Sequence, residues 1–151
     1  MKTRTISSPI GTLTLTEENG KITGLCFGGV AANDTSPVFD AAETQLREYF
    51  AGTRKSFDLP LAPSGTPFQR AVWDALCAIP YGETRTYAQI AAGIGKPKAC
   101  RAVGMANNRN PIAILIPCHR VIGANGSLTG YAGGLDAKKA LLTLENVESH
   151  R

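Results

Sequence analysis

Asn110-Pro111-Ile112-Ala113-Ile114-Leu115-Ile116-Pro117-Cys118-His119-Arg120-Val121 is the stretch on which the reading of this chain turns. The apolar run Ile112 to Ile116 lies between two prolines. Its length and composition predict a buried strand. A cysteine closing such a strand, beside a histidine and an arginine, stands where pocket chemistry is often found in α/β-type proteins. The thiolate is the nucleophile, and a free thiol titrates near about 8.5. His119 and Arg120 are adjacent groups that could lower that value. Neighbours on an extended strand point to opposite faces, so Cys118 and His119 are expected to communicate only through a bent backbone or a water. A buried cysteine beside a surface histidine is the plainer alternative on these residues alone.

Upstream lies a basic, helical region. Residues 67–151 carry ten basic and five acidic side chains, whereas residues 1–66 carry six and seven. Arg85, Lys96, Lys98, Arg101, Arg109 and Arg120 fall between Thr84 and Leu135 with no acidic residue among them. Such a field fits a polyanion-binding face, or a solvated surface balanced by the other half in space. Thr66-Pro67 opens a helix with Val72, Trp73, Leu76 and Ile79 on its inner face. Trp73 reads as a core anchor. Thr86-Tyr87-Ala88-Gln89 fits a capping box, and its helix ends near Gly93–Gly95. Pro97 starts a second helix reaching about Asn107. Two short helices across a Gly/Pro turn make a helix-turn-helix pattern. The second is rich in small residues (Ala99, Ala102, Val103, Gly104, Ala106) around Arg101. That composition suits close backbone approach to a narrow groove, or tight packing on another helix. Asp136 is expected to cap a last helix, in which Lys138 and Lys139 are solvated lysines able to touch phosphate.

The first half reads as β-rich. Lys2–Ile6 and Thr12–Thr16 are β-prone, and Ser8-Pro9-Ile10-Gly11 turns between them. Asn19-Gly20 favours a type I′ hairpin leading into Lys21–Phe27. Ser36-Pro37 starts a helix to about Phe50, closed by Gly52, with Val38, Ala42, Leu46, Tyr49 and Phe50 on one face. A short strand is expected near Phe57–Leu61, and the Pro/Ser/Gly-rich stretch Leu61–Pro67 reads as a linker. The boundary is placed at 1–65 and 66–151.

The whole chain has 151 residues, 43% hydrophobic and 19% charged, enough to bury a core. No apolar run reaches the roughly 18 residues of a membrane span, and no secretory h-region is visible, so no membrane partner is expected. The cysteines at 26, 77, 100 and 118 form no CxxC pair. With His119 and His150 as the only histidines, no metal site is expected. Cys26 and Cys77 read as core residues. A reducing cytosol fits best, so the predicted location is cytoplasmic.

Read together, Ile116-Pro117-Cys118-His119-Arg120-Val121, Arg101-Ala102-Val103-Gly104, Asn110-Pro111 and Gly130-Tyr131-Ala132-Gly133-Gly134 resemble the O6-alkylguanine-DNA alkyltransferase family. The likeness extends over about residues 66–146 and includes the C-terminal domain of the bacterial adaptive-response methyltransferase. It implies an α+β chain: a small β-rich, ribonuclease-H-like N-terminal domain before a helical winged helix-turn-helix C-terminal domain. It implies direct-reversal DNA repair: one alkyl group moves from O6 of guanine, or O4 of thymine, in double-stranded DNA to a protein cysteine. One turnover, no cofactor and a monomer in solution are expected.

The resemblance also implies roles. Cys118 is the acceptor, and His119 takes its proton through a water. Glu145 orients that histidine, Asn110 organises the relay and the turn, and Tyr87 donates a proton to the leaving guanine. Arg101 fills the gap left by the flipped nucleotide, and its helix, with Ala102 and Cys100, enters the minor groove. Thr86, Lys96, Lys98 and Arg109 are expected to contact DNA. Tyr131, Ala132 and the Val121 carbonyl line the base pocket. Ala132 stands where some members have serine, Cys100 where many have alanine, and Ala113 where some have proline. Three rival readings fit these residues less well. A binding-only relative would lack Cys118. A plain helix-turn-helix regulator would not explain the Pro117–Val121 stretch. A cysteine hydrolase would need a histidine reaching the thiol directly.

Overall fold

The computed structural model describes residues 1–128, 130, 131 and 133–146. Ala132 and His150 lie outside them. Strands β1 (Lys2–Ser8), β2 (Gly11–Glu18) and β3 (Lys21–Phe27) form an antiparallel meander in the order β1-β2-β3. Asn19 and Gly20 both take positive φ, 55° and 78°, as a type I′ turn requires. Leu13, Leu15, Ile22 and Leu25 are buried on one face of the sheet.

Helix α1 (Pro37–Phe50) covers that face. Ser36 Oγ accepts from the Phe39 N–H at 3.1 Å, and Pro37 occupies the first turn, where its missing N–H costs nothing. Val38, Phe39, Ala42, Leu46 and Tyr49 point inward, and Phe39 rather than Phe50 is fully buried. Each such side chain contributes about 1.5–3 kcal/mol on full burial. The chain leaves through Gly52 at φ 81°.

The strand expected at Phe57–Leu61 is not there. Only an isolated bridge joins Leu61 to Ile22. Pro60 has no N–H to donate, and the Gln45 side chain takes both the Asp58 N–H (2.8 Å) and the Asp58 carbonyl (3.1 Å).

Helix α2 (Pro67–Cys77) begins where expected, and does so with a capping box that the sequence reading did not name. Thr66 Oγ1 accepts from Gln69 N, and Gln69 Oε1 accepts from Thr66 N. Ile79 lies beyond the helix, in the following turn, but is still buried. Trp73 is the anchor expected: its indole N–H donates to the Ala106 carbonyl at 2.9 Å and ties α2 to the helix that carries Ala106. A Cβ on Gly65 would sit 2.5 Å from the Trp73 ring, so the linker needs glycine there. Thr86 and Gln89 cap α3 (Tyr87–Gly93) in the same way. Helix α4 (Cys100–Asn108) starts three residues later than expected. Ala99 donates to Lys96 O in a preceding turn, and as N-cap it has no side-chain oxygen to offer. The two-residue strands β4 (Arg85–Thr86) and β5 (Val121–Ile122) pair in parallel. Helix α5 (Leu135–Leu144) is preceded by Gly134 as N-cap at φ 91°, with Asp136 in its first turn instead.

The run Ile112–Ile116 is buried, as expected, but is not a strand. Ile112 makes one parallel bridge to Leu25 of β3, and the chain then reverses. Leu115 N donates to Ala113 O and Ile116 N to Ile112 O, with Ile114 at φ 71°. Buried residues from both halves form one continuous core.

Candidate active site

The reversal at Ile112–Ile116 is closed by Asn110. Its Oδ1 accepts from Ile112 N at 2.9 Å, and its Nδ2 donates to Ile116 O at 2.8 Å. Because this clamp holds both ends of the turn, an isoleucine can occupy a left-handed conformation that ordinarily costs about 1 kcal/mol or more. Pro117 then leads directly into a 3₁₀ turn, Cys118–Arg120. This corrects the extended geometry expected from sequence. Cys118, His119 and Arg120 are all buried, instead of alternating between core and surface.

His119 is fully buried, and its Nε2 lies 2.8 Å from Glu145 Oε2. Glu145 follows the end of α5 and is also buried. Its Oε1 accepts from Arg120 Nε at 2.8 Å, and its Oε2 also accepts from an Arg120 terminal N–H at 3.0 Å and from the Tyr49 hydroxyl at 2.5 Å. Burial alone would raise the Glu145 carboxyl. Hydrogen bonds from His119, Arg120 and Tyr49 outweigh it and hold the pKa at about 2. An ionised Glu145 can only accept, so His119 Nε2 donates. In the neutral ring Nδ1 is then the bare acceptor. Nδ1 is buried with no hydrogen-bond partner among the described residues. Burial pushes the His119 pKa down despite Glu145, which keeps the ring neutral and Nδ1 able to take a proton.

Burial pushes the Cys118 thiol up. Asn110, the Lys138 charge and Tyr131 act in the opposite direction. Lys138 is the residue that sequence reasoning misplaced. It is fully buried, and its Nζ donates to the Val121 carbonyl at 2.6 Å. Burial lowers its pKa to about 8, while a Cys118 thiolate would raise it. The signal was present in spacing: Lys138 shares a face of α5 with buried Leu141 and Leu142. The Val121 carbonyl already serves Lys138, and its second lone pair remains for a ligand.

Tyr131 stands edge-on to Phe27, with ring centroids 5.6 Å apart, and edge-on to His119 at 6.5 Å. Its buried hydroxyl faces the Cys118 thiol, short of a well-formed hydrogen bond. A Cβ on Gly133 would sit 2.7 Å from the Phe27 ring, so β3 braces this loop from the N-terminal half.

The remaining predicted residues lie on a different face. On α4, Val103, Ala106 and Asn107 are buried, while Cys100, Arg101, Ala102 and Met105 are exposed, as is Arg109 just after it. Lys96 and Lys98 are exposed just before it. Trp73 and the buried α4 residues supply the packing, and the small outer residues leave the backbone approachable. Thr86 Oγ1 is occupied as the α3 cap. Tyr87 is half-buried, its ring 3.7 Å from where a Gly104 Cβ would stand. The structure therefore gathers Cys118, His119, Glu145, Asn110, Val121 and Tyr131 in one site, with Arg101 and its neighbours on an exposed helix. Cys26 and Cys77 are exposed, not core. Leu25 points inward on β3, so the two-residue period sends Cys26 outward. Among the described residues no group of three or more His, Cys, Asp or Glu side chains could hold a metal ion. No helix there is long and apolar enough to cross a membrane.

Residues 67–147 match the family model described as 6-O-methylguanine DNA methyltransferase, DNA binding domain, and residues 1–63 its ribonuclease-like domain. The chain belongs to the 6-O-methylguanine DNA methyltransferase family. Within this methyltransferase family, the methylated-DNA–protein-cysteine methyltransferase of Mycolicibacterium paratuberculosis is 51% identical, over 97% of this chain and 93% of its own length. The constitutive enzyme of Bacillus subtilis is 49% identical, over 95% and 94%. The crystal structure of Mycobacterium tuberculosis OGT in complex with DNA superposes with a TM-score of 0.89 at 52% identity, covering 96% of this chain and 92% of that one. The α+β architecture of the methyltransferase, a small sheet domain followed by a helical one, is thus the family's own.

Proposed function

We propose that this protein repairs methylated DNA directly, transferring one alkyl group from O6 of guanine in duplex DNA to Cys118. The observation that carries the assignment is the buried Cys118 on the Asn110-clamped turn, next to a His119–Glu145 pair that leaves one histidine nitrogen free to accept.

The proton of the Cys118 thiol passes to His119 Nδ1 through a water. The sulfur forms a bond to the alkyl carbon, and the carbon–O6 bond breaks. Its electron pair stays with guanine, which takes a proton from Tyr87. Proton delivery matters because the guanine anion is a poor leaving group. Lys138 supplies a positive charge that favours the anionic sulfur. The thioether does not readily reverse, so each chain acts once.

The target atom lies inside the duplex, so the nucleotide has to be flipped out, at a cost of a few kcal/mol. Exposed Arg101 replaces the lost stacking as α4 lies in the minor groove, where Ala102 and Cys100 allow close approach. Lys96, Lys98, Arg109 and Thr86 contact phosphate. Tyr131, Ala132 and the Val121 carbonyl bound the base pocket, which also admits O4-alkylthymine. On this reading the protein works as a monomer in the cytoplasm.

Intact-protein mass after mixing with excess duplex DNA containing O6-methylguanine tests this. The expected gain is about 14 Da, one methyl per chain on the acceptor thiol, absent in Cys118→Ser. Lesion binding without any gain in mass would overturn the transfer.

A further inference from the structure

Tyr49 belongs to the last turn of α1, in the N-terminal half, and is fully buried. Its hydroxyl crosses 96 residues of sequence to donate to Glu145 Oε2 at 2.5 Å. The same oxygen engages His119 Nε2 at 2.8 Å. The ring is held by Phe50, Phe57 and Tyr81, with centroids 5.3, 5.2 and 6.3 Å away. Phenylalanine would fill that space equally well. The hydroxyl therefore has a part separable from packing: it loads the oxygen that holds the histidine.

Burial, reinforced by Glu145, pushes the Tyr49 phenol far up, so it stays neutral and donates. A donor on Oε2 spreads the carboxylate charge, and a carboxylate so engaged attracts an imidazolium less strongly. We propose that Tyr49 is a positioning residue of the methyl-transfer site: its hydroxyl, supplied by the N-terminal half, shares the Glu145 oxygen with His119 and sets how firmly His119 holds a proton. The link to rate rests on the reading of His119 as the base for Cys118.

Other groups also act on this pair. They are Arg120 on the same turn, Tyr81 from the segment after α2, Lys138 on α5, and Tyr131 with Cys118 from the pocket. All remain when only the Tyr49 hydroxyl is altered, so a change in His119 titration reports that hydroxyl.

The test compares Tyr49→Phe with 3-fluorotyrosine at position 49, which donates more strongly in nearly the same shape. Single-turnover methyl transfer from O6-methylguanine duplex is measured between about pH 5 and 8.5, and the His119 imidazole is titrated by NMR. Tyr49→Phe raises both the His119 midpoint and the acid limb of the rate profile, by about half to one pH unit. Fluorotyrosine moves both the opposite way, and it carries the test alone if the phenylalanine variant does not fold. An unmoved His119 titration overturns the proposal. So do shifts in the same direction for both variants, because altered packing would produce them. A moved His119 titration with an unmoved rate profile supports the link to Tyr49 and overturns the role of His119 as base.

Discussion

Replacing Glu145 by glutamine keeps the shape of the side chain and removes its charge. In the native structure this carboxylate is buried and accepts from His119, Arg120 and Tyr49. Its pKa is about 2 in the fold against 4.5 ordinarily. A carboxyl lowered in the folded state contributes stability that is fully present above the unfolded value and is lost as pH falls through the folded one. The difference corresponds to on the order of 3 kcal/mol. A second route gives a similar figure: removing one partner of a buried ion pair leaves the Arg120 charge uncompensated, at about 3–5 kcal/mol. Both describe the same interaction and are not added. Glu145→Gln is therefore expected to lose about 3–5 kcal/mol at pH 7, a fall in melting temperature on the order of 10 °C for a chain of this size. Urea denaturation of both proteins from pH 7 to pH 3 measures the gap. It should stay constant down to about pH 4.5 and narrow below that, because only the native chain titrates at this position. A gap under about 1 kcal/mol at pH 7, or one that does not narrow in acid, would refute the reasoning.

Asn110→Ala strips the partner from Ile112 N–H and leaves Ile116 C=O with only the Cys118 N–H, at the two ends of the buried turn. About 2–4 kcal/mol should be lost in urea denaturation, with single-turnover transfer slowed more than about tenfold; a loss under about 1 kcal/mol with full transfer would remove the clamp from the account. Lys138→Met removes the cation acting on Cys118, so transfer should slow by at least about tenfold at pH 7.5. A lysine lowered to about 8 costs stability below that pH, and the cost fades as pH rises toward 10.5. The stability difference should therefore move in favour of the wild type by about 3 kcal/mol between those pH values, and a flat difference would show that Lys138 titrates normally.

Local chemistry was legible at helix caps and hairpin turns, where both partners of an interaction stand a few residues apart. The Thr86–Gln89 box, the Thr66-Pro67 helix start, the Ser36 cap and the Asn19-Gly20 hairpin are legible in the sequence and form as expected. The apolar run before Cys118 was legible as buried but not as a turn. A short apolar run looks the same in a strand and in a buried reversal, and the deciding bonds come from the Asn110 side chain. Position in the helix, not charge, decided Lys138. Its spacing placed it inward, while its residue type suggested solvent.

By itself the sequence determined the division into a sheet-rich first half and a helical second half, because caps, turns and periodicity act within a few residues. It also singled out the proposed acceptor, since motifs spaced along the chain place Cys118 in one pattern. Only the tertiary structure decided the electrostatics. The state of Glu145 depends on His119 and Arg120, 26 and 25 residues away, and on Tyr49, 96 residues away. The charge nearest in effect to the Cys118 thiol is a lysine that folding buries, away from the water that would screen it. A pKa is set by burial and by charges in space, and both exist only once the chain has closed on itself.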